Sequence, residues 1–196
     1  MLIWYSMVRN NKTRKHVGEK MISSKKINAM LALFSIAALI IHAGYQTVSY
    51  AILYYNPVVS KVLGYIIVIP VVCHIFLSVI SVLFLHDSRT IAYWRFNLAI
   101  IIQRICAVLL LCLFPVHIQS FELLQAHPDG PVFALIKVAE ILFYAVLFTH
   151  ISVSFSRALV ALGIMKNIEN KKRLDHIVWI VCAVLFIVVN WFVVVV

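Results

Sequence analysis

Long apolar stretches alternate with short polar connections along the whole chain. Five stretches reach the roughly 20 mostly apolar residues that a bilayer-spanning helix needs. The first runs from about Ile27 to Tyr50, the second from Val62 to Leu85 and the third from Leu98 to Ile118. The fourth starts near Val132, and the fifth covers roughly Ile177 to Val196. The pattern predicts an all-α fold, an integral membrane bundle of five transmembrane helices. The connections up to the fourth span are about a dozen residues each, which favours antiparallel neighbours. The fourth span has two candidate ends. It stops at Ser156, before Arg157, or continues through RALVALGI to Ile164 with Arg157 inside the bundle. The domain reading is a basic N-terminal arm over residues 1–26 and a membrane domain over residues 27–196.

Composition excludes the other classes. Hydrophobic residues make up 64% of the chain and charged residues 12%. Soluble domains carry about 45–50% and about 25%. Five Gly and five Pro rule out collagen-like and Pro/Gly-rich chains. The formal net charge of +10 would suit nucleic acid in a soluble protein. No aromatic-basic module is present, so no nucleic-acid partner is expected, and the positive-inside rule accounts for the charge. Residues 1–26 hold seven Lys and Arg, the connection after span two holds Arg89 and Arg95, and the region after span four holds five. The opposite side has only Lys61 and the borderline Lys137. The N-terminus is therefore expected in the cytoplasm and the C-terminus outside. The opening residues are not expected to form a signal peptide, because their apolar stretch is short and the basic run follows it. Cys73, Cys106, Cys112 and Cys182 lie in apolar runs and read as small buried hydrophobes.

Candidate chemistry comes from an excess of histidine. The chain has eight His against seven Asp and Glu. Imidazole in hydrocarbon is costly without a partner. His42, His74, His117 and His150 fall one to each of the first four spans, whereas His16, His86, His127 and His176 lie at or beyond span ends. The helical rise places His42 roughly 22 Å from the cytoplasmic side, His117 roughly 28 Å and His74 roughly 16 Å. His150 lies roughly 9 or 21 Å up, depending on where its helix ends. The four sort into an outer pair, His42 and His117, and an inner pair, His74 and His150. Two bis-histidine haems b need this arrangement, each iron taking an imidazole from two different helices. Zinc would want three or four ligands at one level. Ala43 and Gly44 beside His42 are small enough for a haem edge. Arg157, two turns after His150, and Arg104, buried in the third span, are candidate propionate partners. Lys61 and Lys137 are the cations available to the outer haem. A lone intramembrane histidine can equally bond a neighbouring helix. Pro70 and Pro115, near His74 and His117, are candidate kinks.

The ordered motifs resemble a known family. The segment QRICAVLLLCLFPVHIQ, residues 103–119, is similar to the third-span pattern of the five-helix, di-haem cytochrome b membrane anchor of succinate dehydrogenases and fumarate reductases. IPVVCHIFLSVISVLF in the second span resembles that family's Pro-x-x-x-His segment, and THISVSFSRALVALGI its fourth span. The likeness covers about residues 27–196. It implies a proximal haem on His74 and His150 and a distal haem on His42 and His117. It also implies a flavoprotein partner with FAD, an iron–sulfur partner subunit on the cytoplasmic side, and quinone, often menaquinone, as substrate. The setting would be the plasma or inner membrane. Ser154 stands where the family has a glycine, and Glu140 is the only acid well inside the fourth span, with none close to His150. A cytochrome b of another dehydrogenase, such as a hydrogenase or formate dehydrogenase, meets the same ligand requirement. A transporter or scaffold could use the histidines without haem. No nucleophile–base pair or phosphate loop is present, so no dicarboxylate active site is expected in this chain. The fifth span has no ligand and is expected to face lipid or a second copy.

Overall fold

A computed structural model describes residues 2–52, 54, 56–84, 98–126 and 129–195. The described residues form five α-helices: α1 (Leu2–Ala51), α2 (Pro57–Phe84), α3 (Leu98–Ala126), α4 (Gly130–Ala161) and α5 (Ile168–Val195). Each contains a segment long and apolar enough to cross a membrane. The chain is therefore a multi-pass membrane protein. Large apolar side chains such as Ile40, Ile69, Leu135 and Ile187 are exposed, while Glu140, Ser152 and Ser156 are buried. A soluble protein avoids contiguous apolar surface on this scale. Helices solve the bilayer problem because each satisfies its own backbone hydrogen bonds.

The chain divides into two compact units, Met1–Asp87 with Ala158–Ile164, and Ser88–Arg157 with Met165–Val196. In the first unit α1 and α2 form an antiparallel hairpin. Asn56 caps α2, its Oδ1 accepting from the Val58 and Val59 N–H groups at 3.0 and 3.3 Å. Pro57 follows at the first helical position, where no N–H is needed. The Tyr45 hydroxyl donates to the Asn56 carbonyl and accepts from the Asn56 N–H, bracing the turn. Above it Gln46 Nε2 donates to Ser60 Oγ at 2.6 Å, and at the other end Asn28 Nδ2 donates to Ser78 Oγ at 3.1 Å. α1 continues unbroken from the basic arm into the first span, so residues 2–26 are helical.

In the second unit α3 pairs with α4, and α4 with α5. Phe148, Thr149 and Ser152 of α4 share a shallow groove with Trp179, Cys182 and Phe186 of α5. Asn167 caps α5 by accepting the Glu169 N–H at 2.8 Å. Lys171 pairs with Asp175 one turn on, at 2.7 Å. This capped polar start places the first residue of α5 at Ile168, ahead of the apolar run expected from Ile177. The fourth span passes Ser156 and ends at Ala161. Gly163, at φ 78°, terminates it. The Gly163 N–H bonds the Val160 carbonyl and the Ile164 N–H bonds the Leu159 carbonyl, the paired bonds of a Schellman cap. Arg157 is thereby inside the helix. α2 and α3 run through Pro70 and Pro115. Of the cysteines, Cys106 and Cys182 are buried as expected, but Cys73 and Cys112 are exposed. Those two lie on helix faces turned away from the protein's own packing. The expected connection carrying His86, Arg89 and Arg95, and the position of His127, fall outside the described residues.

Candidate functional site

The four intramembrane histidines divide two to a unit. In the first unit, His74 Nδ1 lies 3.2 Å from the Asn28 carbonyl oxygen. His74 and Ser78 are one turn apart on α2, and both engage Asn28 of α1. His42 stands 14 residues further along α1, about 21 Å along its axis. A Cβ added at Gly44, two residues on and so on a different face of α1 from His42, would meet nothing within 4 Å.

In the second unit, His150 Nδ1 lies 3.2 Å from the Gln103 carbonyl oxygen on α3. His117 is held differently. Its Nδ1 lies 2.9 Å from Glu140 Oε2 and 3.2 Å from Oε1, so α3 and α4 are joined by a carboxylate–imidazole pair. Glu140 is only 5% exposed. Ten residues of α4 separate Glu140 from His150, and fourteen of α3 separate Gln103 from His117. The two histidines therefore stand about 15–21 Å apart along the helices.

These contacts share one chemical consequence. A carbonyl oxygen only accepts, and so does an ionised carboxylate. A neutral imidazole that donates through Nδ1 to such an oxygen keeps its lone pair on Nε2, and His74, His117 and His150 each set Nδ1 against one. Metal-ligating histidines are commonly held this way, Nδ1–H donating to a carboxylate or carbonyl while Nε2 faces the metal. The donor set fits axial ligation of haem iron. It does not demand a multidentate cage, and no group of three or more His, Cys, Asp or Glu that could hold a metal ion occurs among the described residues.

The two arginines also converge. Side chains lean toward the N-terminus of their own helix. α3 and α4 are antiparallel, so Arg104 and Arg157 lean toward each other. Arg104 lies within electrostatic reach of Arg157. Arg157 Nη1 and the adjacent Ser156 Oγ are buried and have no hydrogen-bond partner among the described residues. Such atoms in a native structure call for a polar group that completes them, and a guanidinium favours an anion. A haem propionate meets that description. Arg104 departs from expectation in one respect, since it is exposed. Gln103 turns its carbonyl to His150, and the next residue is rotated about 100° away from that face. Its long side chain can snorkel from there. Lys61 is exposed, and Lys137 sits over the Phe133 ring at 4.5 Å.

No family model, curated protein or solved structure matches the chain.

Glu140 is the residue the sequence reading left without a role. It was weighed only against His150, ten residues away on its own helix, whereas its partner is on the preceding helix. The signal was present in the depths. Counted back from the end of α4, Glu140 stands about 31 Å up, beside the roughly 28 Å of His117.

Proposed function

We propose that the chain is the membrane-anchoring, di-haem cytochrome b subunit of a succinate:quinone oxidoreductase. It transfers electrons between quinone and an iron–sulfur partner subunit. The observation that carries the reading is the common treatment of His74, His117 and His150. In each, Nδ1 faces an oxygen on a neighbouring helix, the arrangement that suits Nε2 ligation of a metal.

His74 and His150 hold the proximal haem and His42 and His117 the distal one. Ser156, Arg157 and Arg104 form the anion-seeking end of the proximal site. Two haems b, when bound, supply one-electron carriers spanning the bilayer. The protein's share is to orient the imidazoles, fix their tautomer and place cations by the propionates. The basic N-terminal helix faces the cytoplasm, with the flavoprotein and iron–sulfur subunits docked on that side. The membrane is the plasma or inner membrane, and menaquinone is the quinone this anchor type commonly serves.

Purification of the tagged chain from its native membrane tests the assignment. A flavoprotein with FAD and an iron–sulfur protein should co-purify, with succinate–quinone or quinol–fumarate activity. Co-purification of hydrogenase or formate dehydrogenase subunits instead would move the chain to another dehydrogenase.

A further inference from the structure

His74, His117 and His150 each set Nδ1 against an oxygen, and at His117 that oxygen belongs to a carboxylate. Resting on the di-haem reading above, we propose that Glu140 is a positioning residue for the distal haem, orienting His117 and lowering that haem's midpoint potential. Glu140, Phe143 and Tyr144 occupy positions i, i+3 and i+4 of α4, a single helical face. They hold the His117 ring on several sides. Both carboxylate oxygens reach Nδ1, at 2.9 and 3.2 Å. Phe143 stacks on the ring with centroids 4.1 Å apart and planes 10° apart. Tyr144 meets it edge-on at 5.7 Å and 81°. Phe143 is itself buried. The ring therefore has one plane and one proton position, and Nε2 points in a set direction.

The electronic consequence follows from charge. A hydrogen bond to a carboxylate is stronger than one to a carbonyl. It pulls the Nδ1 proton outward and makes Nε2 a more basic ligand, as in carboxylate–histidine–metal triads. Ferric haem carries one more positive charge than ferrous haem, so a more basic ligand beside a buried anion favours the ferric form. At His74 and His150 the oxygen facing Nδ1 is instead a neutral main-chain carbonyl.

Redox titration of the haem absorbance in the assembled complex tests the proposal, comparing wild type with E140Q and E140D. Gln keeps an acceptor for Nδ1 but removes the charge. E140Q should retain both haems and raise one midpoint while leaving the other in place. E140D, with its charge withdrawn by one methylene, should give a smaller rise of the same haem. In an H117A background, E140Q should shift nothing. Should E140Q fail to assemble, E140D carries the test. A wild-type complex with two haems and unmoved midpoints in the measurable variants overturns the proposal alone. A wild-type complex without haem overturns it together with the di-haem reading.

Discussion

His117 and His74 occupy the same kind of place, a half-buried position on one helix facing a polar atom of the next. Their partners differ in kind. His117 meets the side chain of Glu140, whereas His74 meets the backbone of Asn28. A side-chain acceptor can be deleted by one substitution and carries charge. A main-chain acceptor survives substitution of its residue and carries only a dipole. His150, on the Gln103 carbonyl, belongs with His74. The contrast separates what each histidine needs from its neighbours: a carbonyl suffices to set a tautomer, so the carboxylate at His117 adds something further.

The largest effects come from the ligands. H117A and H150A should each remove one haem of two. H42A should remove the same haem as H117A, and H74A the same as H150A. The double variant H74A/H150A should therefore still hold one haem, and H117A/H150A none. Haem content of the purified variants checks this, and any other grouping would break the outer–inner pairing.

Next in size is the acceptor itself. E140A leaves the half-buried His117 ring without its carboxylate partner, a loss of about 1 kcal/mol. The purified protein should unfold at lower temperature and lose part of one haem. N28A and Q103A are the matched controls. Both keep the main-chain oxygens that hold His74 and His150, so haem content should stay at the wild-type level. N28A gives up only the bond to Ser78, about 0.5–1.5 kcal/mol. A haem loss in N28A or Q103A equal to that in E140A would erase the distinction between the two kinds of acceptor.

A smaller effect is expected at Arg157. Its cation favours the reduced form of a nearby haem, so R157Q should lower one midpoint. That haem should be the one E140Q does not move. The same redox titration reads both. Opposite shifts in different haems would place the two charges at opposite ends of one electron path.

The spans were legible in the sequence because a backbone in hydrocarbon has little alternative to helix. Their ends were less so, because caps and not apolar content decide them. Asn56 and Pro57 start α2 before the apolar run at Val62. Asn167 starts α5 while the chain is still Lys- and Arg-rich. Gly163 ends α4 between the two limits that composition allowed. The histidines were legible one by one through their cost in lipid. The oxygens that hold them were not, since a carbonyl has no signature in sequence and every residue owns one. Glu140 lay between these cases. A lone acid in an apolar helix announces that it has a partner, but only the packing of α3 against α4 identifies that partner as His117.

The central claim is that Nε2 of these histidines binds haem iron. A pyridine haemochrome assay on the purified chain, normalised to protein, counts the haem, and the absorption and EPR spectra of the untreated protein report its axial ligands. About two haems b per chain are expected, with the untreated protein showing the spectra of low-spin, bis-histidine haem. A purified, folded chain with no haem would contradict that claim and leave His117 and Glu140 as a hydrogen-bonded pair joining two helices.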